Sequence, residues 1–335
     1  MPAIQIQLIA PSGYPHDRAA LARGVERLRG AGCALSGLDV LERSELRFAG
    51  SDAERLADIN HLADLSTLPD LVLTTRGGYG ASRLLPHLRY DALRERLAET
   101  PIPLVGHSDF TALQLALHAK SGLCTFSGPL LADLGTDAHD DDFSWRHFWS
   151  TLTSSSTTLA WADAGVADVD ASGPLWGGNL AVLCSLLGTP YFPGAKGGGI
   201  DGGILFVEDV GEPPFRIERL LYQLHLSGVL GRQQALVLGG FSHCRPGPND
   251  NGYDLAAAFA QIERVAGIPV VHGLPHGHGA RQLTLPFGAP ARLRVEGGSA
   301  RLDFHGYPHL PLGSSPAVPG RQGREQGQAG STPNP

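Results

Sequence analysis

The sequence predicts an α/β protein, with an N-terminal doubly wound parallel sheet and a smaller, mainly β (α+β) C-terminal domain. Three observations predict it. Short apolar runs alternate with helical patterns through residues 1–150, the pattern of a parallel sheet covered by helices on both faces. Residues 151–158 (TLTSSSTT) are Ser or Thr at seven of eight positions, which interrupts the alternation. From residue 175 onward strand and helix patterns resume, and they close on a hairpin.

The elements follow in order. Ile4–Ile9 is a buried first strand rather than a secretory signal, since no Lys or Arg precedes Arg18 and no long apolar stretch follows. Leu21, Val25 and Leu28 share one face of the next helix. Ser51 and Glu54 have capping-box spacing, in which hydroxyl and carboxylate each satisfy an orphan backbone donor. Leu71–Thr75 reads as a strand entering the loop Arg76-Gly77-Gly78-Tyr79-Gly80, and Pro103–Val105 as another short strand. Phe110, Leu113, Ala116 and Leu117 mark the following helix. Ligands of such a sheet bind beyond the carboxyl ends of its strands.

The Ser/Thr-rich seam places a linker at 151–174. The C-terminal domain, 175–312, opens with the turn Trp176-Gly177-Gly178-Asn179 and an apolar helical segment. Ile204–Val207, Ala235–Leu238 and Pro269–Val271 read as strands, and Ile217, Leu220, Leu221 and Leu224 as a helix face. Ala291–Val295 and Ala300–Phe304 form the closing hairpin across Gly297–Ser299. The Gly-, Pro- and Ser-rich tail, 313–335, is expected to be disordered.

Composition narrows the function. At 335 residues and 42% hydrophobic, the chain can fill two cores. A formal charge of −7 argues against a nucleic-acid partner. No apolar run approaches the ~20 residues that cross a bilayer, so no membrane partner is expected. The four cysteines lie 60 or more residues apart without a CxxC. A reduced, cytoplasmic protein is the reading that fits.

Pro103-Leu-Val-Gly-His-Ser-Asp-Phe110 carries the strongest local signal. A strand ends, Gly106 permits a sharp turn, and Ser108 opens a helix, which is the geometry of a nucleophile elbow. Phe110 stands where the usual elbow has its second glycine, and Ser108 or Asp109 as a plain helix cap explains the same residues. The Arg76–Gly80 loop faces the same sheet edge, where Gly77 or Gly78 could supply an oxyanion donor or simply make a tight turn. Two candidate partners lie in the second half. Glu208 follows a strand in Leu205-Phe-Val-Glu-Asp-Val-Gly-Glu212, and His278 sits between glycines in Gly273-Leu-Pro-His-Gly-His-Gly279. Together with Ser108 they permit a triad in which the imidazole takes the serine proton and the carboxylate orients the imidazole. Glu208 as a surface acid is the alternative. His272, His276 and His278 invite a metal reading, but His-x-His on a loop is not specific and no HExxH is present.

Six blocks in order resemble the LD-carboxypeptidase family of serine peptidases, which includes muramoyltetrapeptide carboxypeptidases and microcin C7 self-immunity peptidases. They are APSG at 10–13, RGGYGASRLL at 76–85, GHSD at 106–109, LWGGNL at 175–180, LFVEDVGE at 205–212, and GHG with LTLPFG between 277 and 288. The resemblance implies a Ser108–Glu208–His278 triad, with backbone N–H groups of Asp109 and Gly78 as the oxyanion hole. It further implies a cytoplasmic homodimer that needs no metal or other cofactor. Its substrate would be a murein tetrapeptide, cut between the L-centre of a diamino acid and the terminal D-alanine. Arg76 and Gly77 of one loop, and Trp176 and Asn179 of another, are the expected substrate-binding residues.

Two departures accompany the resemblance. The family more often has an aromatic residue where this chain has His107, and an asparagine near Gln282. Adjacent residues on an elbow point apart, so His107 is expected in the pocket lining rather than as the base. The competing readings are an immunity peptidase that cleaves a peptidyl-nucleotide antibiotic on the same scaffold, and an inactive binding module.

Overall fold

The computed structural model describes residues 3–136, 142–162, 165, 168–194 and 200–311; the 313–335 tail lies outside the described residues. The first sheet is built on five parallel strands: β1 (Ile4–Ile9), β2 (Cys33–Ser36), β3 (Leu71–Thr74), β4 (Leu104–Gly106) and β5 (Thr125–Ser127). Their spatial order is 5-4-3-1-2. The chain leaves β1 toward one side for β2 and returns to the other for β3, which opens a crevice beyond the carboxyl ends of β1 and β3. The loops at 10–13, 76–80 and 107–110 all begin at that edge.

Helices α1 (Arg18–Gly30), α2 (Asp52–Asn60), α3 (Tyr90–Glu99) and α4 (Thr111–Ser121) cover the sheet. α1 buries Leu21, Val25 and Leu28, the face its periodicity predicts. The capping box at α2 is complete: Glu54 N–H donates to Ser51 Oγ at 3.3 Å, and Ser51 N–H donates to the Glu54 carboxylate at 2.8 Å. α4 buries Leu113, Ala116 and Leu117. The short α5 (Leu131–Leu134) and α6 (Phe143–Leu152) follow; the latter, with buried Trp145, Phe148 and Trp149, was not expected from the sequence.

The 151–174 segment, expected as a linker, instead supplies strand. β6 (Ser156–Trp161) buries Leu159 and Trp161 in alternation with exposed residues, and β7 runs Val169–Asn179. Ser and Thr fit a half-solvated antiparallel strand as well as a loop, so their clustering conceals the pairing.

β7 organises the second sheet. Its first half pairs antiparallel with β12 (Pro290–Glu296), which pairs with β13 (Ser299–His305), which pairs with β6. Its second half, from Leu175, pairs in parallel with β8 (Ile204–Val210), continued by β9 (Ala235–Ser242) and β10 (Val270–Val271). The hairpin predicted at residues 291–304 is β12–β13. α7 (Leu180–Ser185), α8 (Pro214–Leu226) and α9 (Leu255–Val265) belong to the parallel half. One strand crosses over: β11 (Leu285–Phe287) leaves the second half of the chain and pairs antiparallel with β5 at the edge of the first sheet.

The hydrophobic layers run through both sheets. Ile6, Leu73 and Phe126 of the first pack in one cluster with Phe206, Val237 and Leu293 of the second. The two halves therefore form one packed body, with the crevice at their junction. Among the described residues no helix is long and apolar enough to cross a membrane.

Candidate active site

Ser108 stands at the turn from β4 into α4. His107 before it is extended, at φ −151°, and Ser108 itself takes φ +63°, a left-handed conformation uncommon for a residue with a side chain. Such strain at a strand-to-helix turn is what lifts an elbow hydroxyl out of a sheet. Phe110, in place of the second glycine, is buried with its ring against Gly106. The Arg76–Gly80 loop closes from the other side: a Cβ on Gly77 would lie 2.8 Å from the Ser108 Cβ, so only glycine leaves room for the serine.

Glu208 lies in β8 where the pairing with β9 shifts register between Val207 and Asp209. A bulge of this kind re-aims a side chain. The Glu208 carboxylate is fully buried and faces His278, which comes from the Gly277–Gly279 loop. His278 Nδ1 donates to Glu208 Oε2 at 2.7 Å, and its Nε2 accepts from Ser108 Oγ at 2.9 Å. Serine, imidazole and carboxylate are thus joined in one continuous relay across the junction of the two halves. Hydrogen bonds in series of this kind fix the tautomer: Nδ1 keeps its proton and Nε2 offers a lone pair to the hydroxyl.

The electrostatics agree with that assignment. Burial works against a charge on Glu208, but the imidazoles of His107 and His278 outweigh it and hold the carboxyl below its ordinary range. Burial likewise works against a charged His278, and the hydrogen bond and charge of Glu208 outweigh it, raising its pKa above 6.5. His107 and His276 are driven by burial to about 3 and about 4, so both are neutral at neutral pH. His276 donates from Nδ1 to the Leu283 carbonyl at 2.9 Å and accepts from Ser127 Oγ at 3.0 Å. Of the three clustered rings, His278 is the one held ready to take a proton.

The remaining expected site residues divide. Arg76, Gly77, Gly78, Ser108 and His278 line one cavity of about 430 Å³, a size suited to a small peptide. Arg76 is tied to the Tyr14 carbonyl at 3.1 Å, and among the described residues it pairs with no carboxylate. Burial, with Arg47 adding like charge, lowers its pKa from the usual arginine value, so an anion is its natural complement.

Trp176 does not belong to the cavity. It is fully buried, its Nε1 donates to Gln233 Oε1 at 2.9 Å, and its ring meets Phe192 edge-on; it is a core residue. Asn179 is also buried and away from the cavity. Its Nδ2 lies 3.3 Å from Glu208 Oε1 and 3.2 Å from Asp209 Oδ1, and its Oδ1 caps α7 by accepting from Val182 N–H at 3.1 Å. These two expected substrate contacts are therefore corrected to supporting positions. The Trp-Gly-Gly-Asn segment is strand rather than turn, and Gly178 is small because α4 arrives there: a Cβ would stand 2.5 Å from Thr111 Oγ1. Asn179→Ala is expected to destabilise the fold by about 2 kcal/mol or more, measured by urea unfolding, since it removes a cap and a donor to two buried carboxylates.

Sequence reasoning missed the side chain of Asp109. Its buried carboxylate accepts from Ala81 N–H at 2.8 Å, so it ties the elbow to the chain that follows the Arg76–Gly80 loop. Thr111 was missed as well; its Oγ1 accepts from Asn179 N–H at 3.0 Å and joins the helix behind Ser108 to the strand beside Glu208. GHSD contains Asp109 and WGGN contains Asn179, while Thr111 lies two residues beyond GHSD; only contacts distant in sequence reveal what they do.

Comparison with known proteins places this geometry. The LD-carboxypeptidase N-terminal domain matches residues 6–128, and the LD-carboxypeptidase C-terminal domain matches residues 172–293. The murein tetrapeptide carboxypeptidase of Pseudomonas aeruginosa is 35% identical over 258 residues, covering 73% of this chain and 78% of the relative. The microcin C7 self-immunity protein MccF of Escherichia coli is 28% identical over 299 residues, 79% of this chain and 83% of the relative. The crystal structure of muramoyltetrapeptide carboxypeptidase from Oxalobacter formigenes superposes with a TM-score of 0.81 at 41% identity, covering 91% of this chain and 99% of that one. Both halves of the crevice are thus matched along with the fold that holds them, and the chain belongs to the LD-carboxypeptidase family.

Proposed function

We propose that the protein is a serine-type LD-carboxypeptidase that releases the terminal D-alanine from murein tetrapeptides. The reading rests on the continuous relay from Ser108 through His278 to Glu208. Ser108 Oγ attacks the carbonyl of the diamino acid as His278 Nε2 takes its proton. Backbone N–H groups of Asp109 and Gly78 hold the oxyanion. His278 returns the proton to the departing D-alanine amine, and water then resolves the acyl-enzyme by the same steps in reverse roles. Glu208 keeps the imidazole oriented and stabilises it while charged. Such an enzyme works on peptides recovered from the cell wall, in the cytoplasm, and we take it to be a homodimer as its resemblance implies.

Arg76 is the anchor for the D-alanine carboxylate, supported by its place in the cavity beside Ser108 and by its pairing with no carboxylate among the described residues. Arg76→Ala should raise KM about 10- to 100-fold with a smaller change in kcat, because a charge-assisted bond to the ground state is lost. An unchanged KM removes Arg76 from substrate recognition.

The deciding experiment measures D-alanine release from free L-Ala-γ-D-Glu-meso-diaminopimelate-D-Ala by wild type and Ser108→Ala, with a chelator present. Release by wild type alone is the expected result. Absence of release together with cleavage of a peptidyl-nucleotide would move the assignment to the immunity activity. Turnover of neither would leave a binding module.

A further inference from the structure

His107 is not used by the relay, yet it is aimed at it. Its Nε2 is buried without a hydrogen-bond partner among the described residues and stands 3.5 Å from Glu208 Oε1. That separation is long for a hydrogen bond. It is close to the ~3.4 Å between two ligand atoms that share a tetrahedral zinc at ~2.1 Å each. The His278 ring lies 4.6 Å from the His107 ring, and ligand atoms from His107, Glu208 and His278 all fall within 4.8 Å of one another. Two imidazoles and a carboxylate are the donor set of an open zinc site, with the fourth position left to water.

We propose that His107, Glu208 and His278 form a site for a divalent transition ion, zinc by the chemistry of its donors, and that occupancy switches the hydrolase off. The ion has a way in: a second cavity, of about 280 Å³, is lined by His107, Gly277, His278 and Gln282. His278 lies on its wall, with 23% of its side chain exposed, and turns toward the ion from there. Either of its nitrogens gives the same outcome. If Nε2 coordinates, its lone pair no longer accepts the Ser108 proton. If Nδ1 coordinates, its proton moves to Nε2, which then has no lone pair to offer. In both cases the serine loses its base, and withdrawal of the ion restores it.

The binding stands on these three residues alone; its inhibitory consequence rests on the hydrolase reading given above. The test is isothermal titration of zinc chloride into the full chain after EDTA treatment and dialysis, repeated with His107→Phe and His107→Gln. Cobalt(II) absorption in the visible serves as a second readout. One zinc per chain is expected, with a tetrahedral cobalt band, and both variants should bind about 100-fold more weakly or worse. Wild-type D-alanine release should fall with zinc and return with EDTA. Equal affinity in the variants would place the ion on surface histidines and overturn the proposal, as would the absence of saturable binding. His107→Gln keeps a polar side chain at the buried position and reads the site if His107→Phe does not fold. Because the titration uses no substrate, a wrong hydrolase assignment leaves its outcome intact and is separately visible.

Discussion

Ser108→Ala is expected to lower kcat for D-alanine release by about 10⁴- to 10⁶-fold while leaving KM within about twofold of wild type. On the proposed mechanism the hydroxyl forms the bond to the substrate, whereas the cavity walls are untouched. A fall of less than about 100-fold would mean that another nucleophile or a directly activated water does the work. The same position offers a stability readout. Ser108 holds φ +63°, a conformation that disfavours every residue with a Cβ. Ser108→Gly should therefore gain about 0.5–1 kcal/mol in unfolding free energy even as it abolishes turnover, as expected where function maintains strain. A less stable glycine variant would show that the turn is held by the serine side chain rather than in spite of it.

Glu208→Gln tests the other end of the relay, and it should cost about 10³- to 10⁴-fold in kcat, since the amide cannot stabilise an imidazolium or fix its tautomer as a carboxylate does. The pH profile is more specific. On the proposed mechanism the base must be neutral, so wild-type activity should rise with pH through the His278 pKa, which Glu208 holds above 6.5. Removing the negative charge leaves burial as the dominant influence, and burial lowers an imidazole pKa. The acid limb of kcat should therefore move from above pH 6.5 to below it. A loss of rate with no shift of the limb would mean that Glu208 supports the loop mechanically without acting on the charge of His278.

Much of this was legible in the sequence because it is local. The capping box at Ser51–Glu54, the buried run of β1 and the hairpin β12–β13 each depend on residues near one another. The elbow was legible too, because strand, turn and helix follow in eight residues. What escaped was set by long-range pairing. β6 is Ser/Thr-rich at its start and gains its strand character from β13, 139 residues or more away in the register Ala300↔Trp161 to His305↔Ser156. The Trp176–Asn179 segment reads as a turn in the sequence, whereas it is strand, and β8 and α4 require its glycines to be small. The candidate triad residues could be proposed from their motifs, but the support beneath Glu208 could not: Asn179 reaches it only because the register sets Asn179 opposite Glu208.

The strand exchange at β11 has a consequence for biogenesis. Leu285 pairs with Ser127, so the outer edge of the first sheet stays open until nearly the whole chain has left the ribosome. An uncovered edge is a template for pairing with other chains, and contacts of such sequence separation form slowly. The Gly277–Gly279 loop that delivers His278 lies just upstream of that closing strand. Closure of the nascent sheet and arrival of His278 are thus the same late event, so on the proposed mechanism a translating chain carries its serine elbow before the base that would arm it.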